Sequence, residues 1–347
     1  MFIRNAWYIA AWSDEVGEKP LARRICDLPV VLFRGLDGTV GALEDRCCHR
    51  SAPLQFGRVV AGGLECGYHG LTFDRGGRCI LIPGQTQIPD NAFIRGYPVV
   101  EKNKFIWIWM GEEDRADASQ IIDYPFHDDT ANWPSKGTVI PVAADYKLLI
   151  DNLMDPSHVG YVHRNTIGGN PSQHVEAKVK VTRTERGLKI MRWLLESSPP
   201  PTYVKAVGFK GKIDRWMEFE FIAPGIVTLW TGALDAGTGA YDQGKREGGF
   251  SLRNFNGLTP ETESTCHYFW SVANGYRQDD PSATEQVFKE VGATFLEDKV
   301  IVEGQQQRLD ESGGQTLIDI ATDGARLHMR RTIERLIAEE RVEQAAE

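Results

Sequence analysis

Short apolar runs broken by turn residues fill the first third of the chain: AWYIAAW, PVVLFRG, TVGALED, YPVVEKN and KFIWIWMG, each bounded by Gly, Asp, Asn or Ser. Runs of this length, rich in β-branched and aromatic residues, predict strands, and their density predicts a small all-β unit. The charged stretch EEDRADASQ and a Pro-punctuated segment up to Trp133-Pro134 then interrupt the pattern. Beyond it, YKLLIDNLMD has helical spacing, whereas AKVKVTRTERGLKIMRWLL, DRWMEFEFIAPGIVTLWTGAL and TESTCHYFWSVANGY alternate as half-buried strands do. The pattern returns to helix in ATEQVFKEVGATFLEDKVIVEGQQQRL and in DGARLHMRRTIERLIAEERV, where Glu and Arg stand at i,i+4. No internal repeat is visible. The expected organisation is an all-β domain over 1–115, a linker over 116–135, and an α+β domain over 136–347 in which packed helices follow an antiparallel sheet.

Length supports the division, since 347 residues exceed what one hydrophobic core serves. Net charge changes the picture more: 39 Lys and Arg against 48 Asp and Glu give −9, with no basic stripe, so nucleic acid is excluded as a partner. AWYIAAW is preceded only by Arg4 and followed by Ser13-Asp14-Glu15 without a cleavage signal, which makes it a strand and not a leader. No run reaches the ~20 apolar residues of a spanning helix, so no membrane is expected. The six cysteines show no disulfide framework, and a cytoplasmic location is the expectation.

Two of those cysteines carry chemistry. Cys47-x-His49 and Cys66-x-x-His69 place two thiolates and two imidazoles on two loops. Such a set can hold a [2Fe–2S] cluster, one iron on sulfur and one on nitrogen, and the imidazoles raise its potential. It equally satisfies one tetrahedral zinc, which is the alternative. CCHRSAPL, CGYHGLTF and the later LIPGQ resemble the two ligand loops and the covering loop of Rieske domains. That resemblance implies that Cys47 and Cys66 bind one iron and His49 and His69 the other. Cys48 stands where the family often has Pro and is expected to be a small buried residue. Cys26, Cys79 and Cys266 are read as core.

The second motif is DNLMDPSHVGYVH, with Asn152, Asp155, His158 and His163. Two histidines five apart diverge by about 140° on a regular helix, so the helix must break or bulge, with a π-type turn at Gly160 as the expected place. A 2-His-1-carboxylate site with open positions is the signature of non-haem Fe(II) oxygenases and needs a carboxylate from a distant segment. FLEDKVIVEGQQQ offers Asp298, with Glu297 as the competitor. Together the two segments resemble the iron site of vanillate O-demethylase oxygenases and their relatives, the toluenesulfonate methyl-monooxygenases and dicamba demethylases. The resemblance runs over almost the whole chain. It implies a helix-grip-like second domain, His158, His163 and Asp298 as iron ligands, and Asn152 beside them. It also implies that Asp155 bridges a cluster histidine of one subunit (His69) to an iron histidine of the next (His158) in a homotrimer. A helix cap before Pro156 is the plainer role for Asp155.

The activity this implies is that of the terminal oxygenase of a multicomponent mono-oxygenase, hydroxylating a methoxy or methyl substituent of a small aromatic acid with O2. Electrons would come from NAD(P)H through a separate flavin and iron-sulfur reductase, because the chain lacks a GxGxxG nucleotide-binding unit. The alternatives are a ring cis-dihydroxylase, a zinc-containing ligand-binding protein, and a simple Rieske electron carrier that leaves the second motif unexplained. Arg192, Lys205, Arg215 and Arg253 are candidate partners for the acid group, most of them expected on solvated faces. Asn165 and Asn256 are candidate pocket residues, each with backbone hydrogen bonding as its plainer role. Trp193, Trp216, Trp230 and Trp270 are expected in the core.

Overall fold

The computed structural model describes residues 1–313 and 317–346. Its chain forms two compact units: Met1–Asp123 together with Thr259–Glu263 and the described residues from Glu340, and Tyr124–Leu258 with Ser264–Glu339.

Apart from short turns of 3-10 helix and the end of a long C-terminal helix, the first unit is all β, as expected. A three-stranded sheet contains Trp7–Trp12, and two four-stranded sheets carry the rest. Hydrophobic runs such as Leu28–Arg34 and Val40–Glu44 pair antiparallel because their alternate residues, Val31, Phe33 and Leu43, all enter one core with Leu54, Leu64 and Phe73. The unit is completed by residues remote in sequence. Cys26 and Asp27 donate their N–H groups to the carbonyls of Pro260 and Glu261, and the Glu340 carboxylate accepts from the N–H groups of Arg4 and Asn5.

The second unit is built on one seven-stranded antiparallel sheet. Its strands lie in the order Ser135–Val142, Thr265–Asn274, Phe250–Thr262, Ile226–Asp235, Ile213–Ile222, Gly187–Ser197 and Lys178–Thr184. The helices are α1 (Tyr146–Met154), α2 (Val159–Val162), α3 (Pro171–Val175), α4 (Pro201–Val207), α5 (Pro281–Ser312) and α6 (Gly324–Ala346). Helix α5 packs on the sheet through Phe288 and Phe295, whose rings lie 4.8 and 5.0 Å from that of Trp270. The opposite face is also covered: Trp193, Trp216 and Trp230 line it, with the Arg246 and Arg253 guanidiniums stacked on their rings. Both faces being filled, strands such as IDRWMEFEFI are buried almost throughout. No helix among the described residues is long and apolar enough to cross a membrane.

Candidate metal centres

The two cluster loops are built alike. Cys47 N–H donates to Ala52 O and Ser51 N–H to Cys47 O; Cys66 N–H donates to Leu71 O and Gly70 N–H to Cys66 O. In each loop the fourth residue after the cysteine takes positive φ, 55° at Ser51 and 74° at Gly70, which turns the chain back within six residues. Repeating one tight loop twice presents both cysteines inward and both histidines outward. Cys47 and Cys66 are buried, His49 and His69 are exposed, and the two imidazole rings lie 4.6 Å apart. Burial, with the Cys66 thiol alongside, pushes Cys47 up to about 11, so this thiol ionises at neutral pH only against a cation. The four donors do not converge within 4.8 Å of one another, as one tetrahedral zinc would require. They suit a binuclear cluster with sulfur at one end and nitrogen at the other. Pro83, in the covering loop, stands close over Gly70, where a Cβ would lie 2.9 Å from its Cγ. Cys26, Cys79 and Cys266 are buried as expected, but Cys48 is exposed: it opens the turn that follows Cys47, in which Cys48, His49 and Arg50 all face outward.

In the second unit, α1 ends at Met154 because Pro156 disfavours helical geometry at Asp155, which adopts φ −108° and ψ 85°. The chain restarts at His158, makes the single turn of α2, and reaches His163. The expected break at Gly160 is not there. Val162 and His163 N–H groups donate to the carbonyls of His158 and Val159 in α-helical fashion, and the π turn follows the second histidine, over Arg164–Gly168. The imidazoles meet because His163 itself leaves the helix, at φ −105° and ψ 29°. Gly160 instead admits α3: a Cβ there would lie 2.8 Å from Pro171 Cα. Gly168 closes the π turn against α2, where a Cβ would lie 2.1 Å from Val159 O.

Across from these histidines, α5 presents Asp298, 3% exposed. His158 Nε2 and His163 Nε2 are 3.2 Å apart, and Asp298 Oδ1 lies 3.5 and 3.1 Å from them. Donors around one ion at about 2.1 Å are separated by roughly 3.0–3.4 Å, so the three fit a single metal on one face. Among the described residues they form the one tight group of three such donors. Asn152 Nδ2 donates to Asp298 Oδ1 at 2.9 Å. The back of each imidazole is also fixed: His158 Nδ1 donates to the Asp155 carbonyl at 2.5 Å and His163 Nδ1 to Glu297 Oε2 at 2.7 Å, which leaves both Nε2 atoms free of hydrogen to coordinate. Glu297, the competing ligand by sequence, thus supports His163 from behind. We predict that Glu297→Gln weakens iron binding about 10- to 100-fold with the cluster intact; a chelator titration that reads the non-cluster iron checks this, and an unchanged titration refutes it. Burial lowers the His158 pKa; at His163 burial acts in the same direction, but the Asp298 and Glu297 carboxylates outweigh it and raise the pKa.

The Asp155 carboxylate accepts Ser157 N–H at 2.9 Å through Oδ1, and the residue lines a cleft of about 720 Å³ with Asn152, His158, Arg308 and Arg330. Arg192 and Arg215, expected on solvated faces, are each 3% exposed on the helix-covered side of the sheet. Arg192 donates to Pro156 O and to His174 Nδ1 and O, and Arg215 to Ile167 O. Lys205 is exposed and pairs with Glu290, Arg253 lies on the other face among Trp230 and Phe126, and Asn165 is exposed. Asn256 is buried and bonded to Tyr268 and Val227.

A sulfur- and imidazole-ligated cluster in one unit and a two-histidine, one-carboxylate centre in the other define a Rieske non-haem iron oxygenase. Comparison with known proteins agrees. Residues 6–98 match the Rieske [2Fe–2S] domain, and 142–339 the vanillate O-demethylase oxygenase C-terminal domain. The chain is 38% identical to the iron-sulfur subunit of the toluene-4-sulfonate monooxygenase system of Comamonas testosteroni, over 98% of both chains. It is 36% identical to the oxygenase component of dicamba O-demethylase of Stenotrophomonas maltophilia, over 96% of this chain and 98% of that one. The crystal structure of dicamba monooxygenase bound to 3,6-dichlorosalicylic acid superposes with a TM-score of 0.90 at 34% identity, covering 98% of both chains. This chain belongs to the vanillate O-demethylase oxygenase family of Rieske oxygenases, and its cofactors are the [2Fe–2S] cluster and a mononuclear non-haem iron.

Proposed function

We propose that this protein is the terminal oxygenase of a multicomponent mono-oxygenase that hydroxylates a methyl or methoxy substituent of a small aromatic acid. The observation that carries the reading is the convergence of His158, His163 and Asp298 within 3.5 Å of one another. When bound, the iron supplies the position at which O2 is activated, and the cluster supplies electrons one at a time. The chain's own residues orient the three iron ligands: Asn152 fixes the Asp298 carboxylate, while Asp155 and Glu297 fix the two imidazoles.

An acid is the substrate class favoured by charge. The buried guanidiniums of Arg192 and Arg215 stand on the helix-covered face, and neither is ion-paired to a carboxylate among the described residues. Burial, and then Arg215, lower the Arg192 pKa to about 10, with Asp155 acting the other way. An anion entering that region meets a favourable field.

Electrons come from a separate flavin and iron-sulfur reductase in this reading, and the working form is a cyclic homotrimer. Exposed Tyr68 packs its ring against that of the exposed cluster histidine His69, Phe56 and Phe93 are exposed on the same unit, and exposed Leu317 and Ile318 border the cleft that holds Asp155. Apolar patches at two different sites suit a head-to-tail contact between copies, which a threefold ring closes. The test is a panel of methyl-, methoxy- and sulfo-substituted benzoates with a surrogate reductase, scored by product under labelled O2. A benzylic alcohol, or a phenol with formaldehyde, is expected; a cis-diol would make the protein a ring dihydroxylase.

A further inference from the structure

On the helix-covered face of the sheet, one buried side chain carries an acceptor oxygen that no group of the described protein bonds. Asn254 is 3% exposed, and its carboxamide oxygen is fully buried without a hydrogen-bond partner. Its surroundings on the sheet explain why. Directly across stands Leu229, then Phe219, then Ile190, an apolar row running over four strands. The next polar neighbour on its own strand, Asn256, is already committed, donating to Val227 O and accepting from the Tyr268 hydroxyl. A buried amide left unpaired costs about 1–3 kcal/mol and is retained only where something else compensates.

Its position indicates what compensates. The strand pairing is unbroken from Phe250 to Gly257, so Asn254 and Asn256 face the same way, about 7 Å apart along the strand. Asn256 holds Tyr268, whose ring packs 5.4 Å from that of Phe295, one turn before Asp298 on α5. Asn254 is therefore set one aromatic ring's length along the same face from the side chain that leads, through Tyr268, to the iron-binding helix. Its flat, apolar cross-strand row suits a ring, and its amide can turn either a donor or an acceptor towards a ligand.

We propose that Asn254 hydrogen-bonds the anionic substituent of the aromatic substrate and so positions the ring with its methyl or methoxy group towards His158, His163 and Asp298. The inference rests on the mono-oxygenase reading above and adds the residue that selects the acid: Arg192 and Arg215 provide the field, and Asn254 provides the contact. It is a positioning residue for the reaction and touches the substrate alone.

The test uses the purified holoenzyme, wild type and Asn254→Leu, with the best acid of the panel and the same ring lacking its acid group. Equilibrium binding by calorimetry, KM and kcat with the surrogate reductase, and the thermal midpoint are measured for each. Leucine removes the unpaired amide at similar volume, so the expected midpoint is unchanged or higher. Binding of the acid should weaken, and its KM rise, about 10- to 100-fold, the range for a hydrogen bond to a charged group, while the uncharged ring binds as well as before. Asn254→Gln is expected to recover part of the affinity for the acid. If Asn254→Leu binds the acid as tightly as wild type, or if its midpoint falls and both ligands lose equally, the inference is wrong and the residue is structural. A wild type that converts no member of the panel overturns the mono-oxygenase reading itself, and this inference with it.

Discussion

Replacing Asp298 by Ala is expected to remove the lone iron and leave the cluster in place. Product formation should fall by more than about 100-fold, beyond the cost of losing an outer hydrogen-bond partner of a ligand. The reasoning is geometric. Asp298 Oδ1 lies within 3.5 Å of both imidazole nitrogens, so its removal leaves two histidines from one turn of chain to hold the ion. Asn152, whose amide is aimed at that oxygen, carries no negative charge and cannot replace it. Iron analysis with the cluster's visible and paramagnetic signatures as internal reference is the measurement. Retention of the full iron content would show that another group, with Glu297 the nearest, completes the site. The sequence neighbours Glu297 and Asp298 are separated by function through helical geometry: 100° of rotation turns one to the metal and the other to the far side of His163.

The second large effect is expected at Asp155. We predict that Asp155→Ala retains both cofactors and the oligomeric state yet slows oxidation of the reduced cluster, in a single turnover with substrate and O2, by roughly 100-fold. Its carbonyl receives His158 Nδ1 and the residue lines the cleft, so one residue can hold the iron ligand of its own chain and offer its carboxylate to the partner subunit's His69. The carboxylate also caps a turn through Ser157 N–H, a local contact worth about 1 kcal/mol. Asp155→Asn separates the two roles, because an amide oxygen still accepts from Ser157 but carries no charge. If Asp155→Asn turns over as wild type does, the residue serves the turn and the bridge is discarded.

How much of this was legible in the chain depends on how local each feature is. The cluster loops were fully readable because each is six residues long and carries its donors, its reversal and its hydrogen bonds within itself. The iron histidines were readable for the same reason, whereas the third ligand, more than a hundred residues away, was found through resemblance on FLEDKVIVEGQQQ. The place of the π turn is not legible: a glycine between two ligands reads as a hinge, but Gly160 is needed for the approach of α3, a contact invisible until the fold is known. The burial of Arg192 and Arg215 is not legible either, because a charged residue in an alternating strand reads as solvent-facing. That rule holds for a sheet with one wet face, and here both faces are covered. Cys48 reads as buried because it is a third thiol beside the cluster, but the turn it opens carries it outward. Asn254 had no signal at all, since only cross-strand register shows that its neighbours are apolar.

The first unit's make-up has a practical side. Its electron-transfer half is not a cassette that ends where the linker begins: the hairpin tip at Thr259–Glu263 supplies carbonyls to Cys26 and Asp27, and Glu340 caps the main chain at Arg4 and Asn5. Grafting residues 1–115 alone onto another catalytic partner would leave four backbone N–H groups stranded, so chimaeric oxygenases must carry all three segments across together.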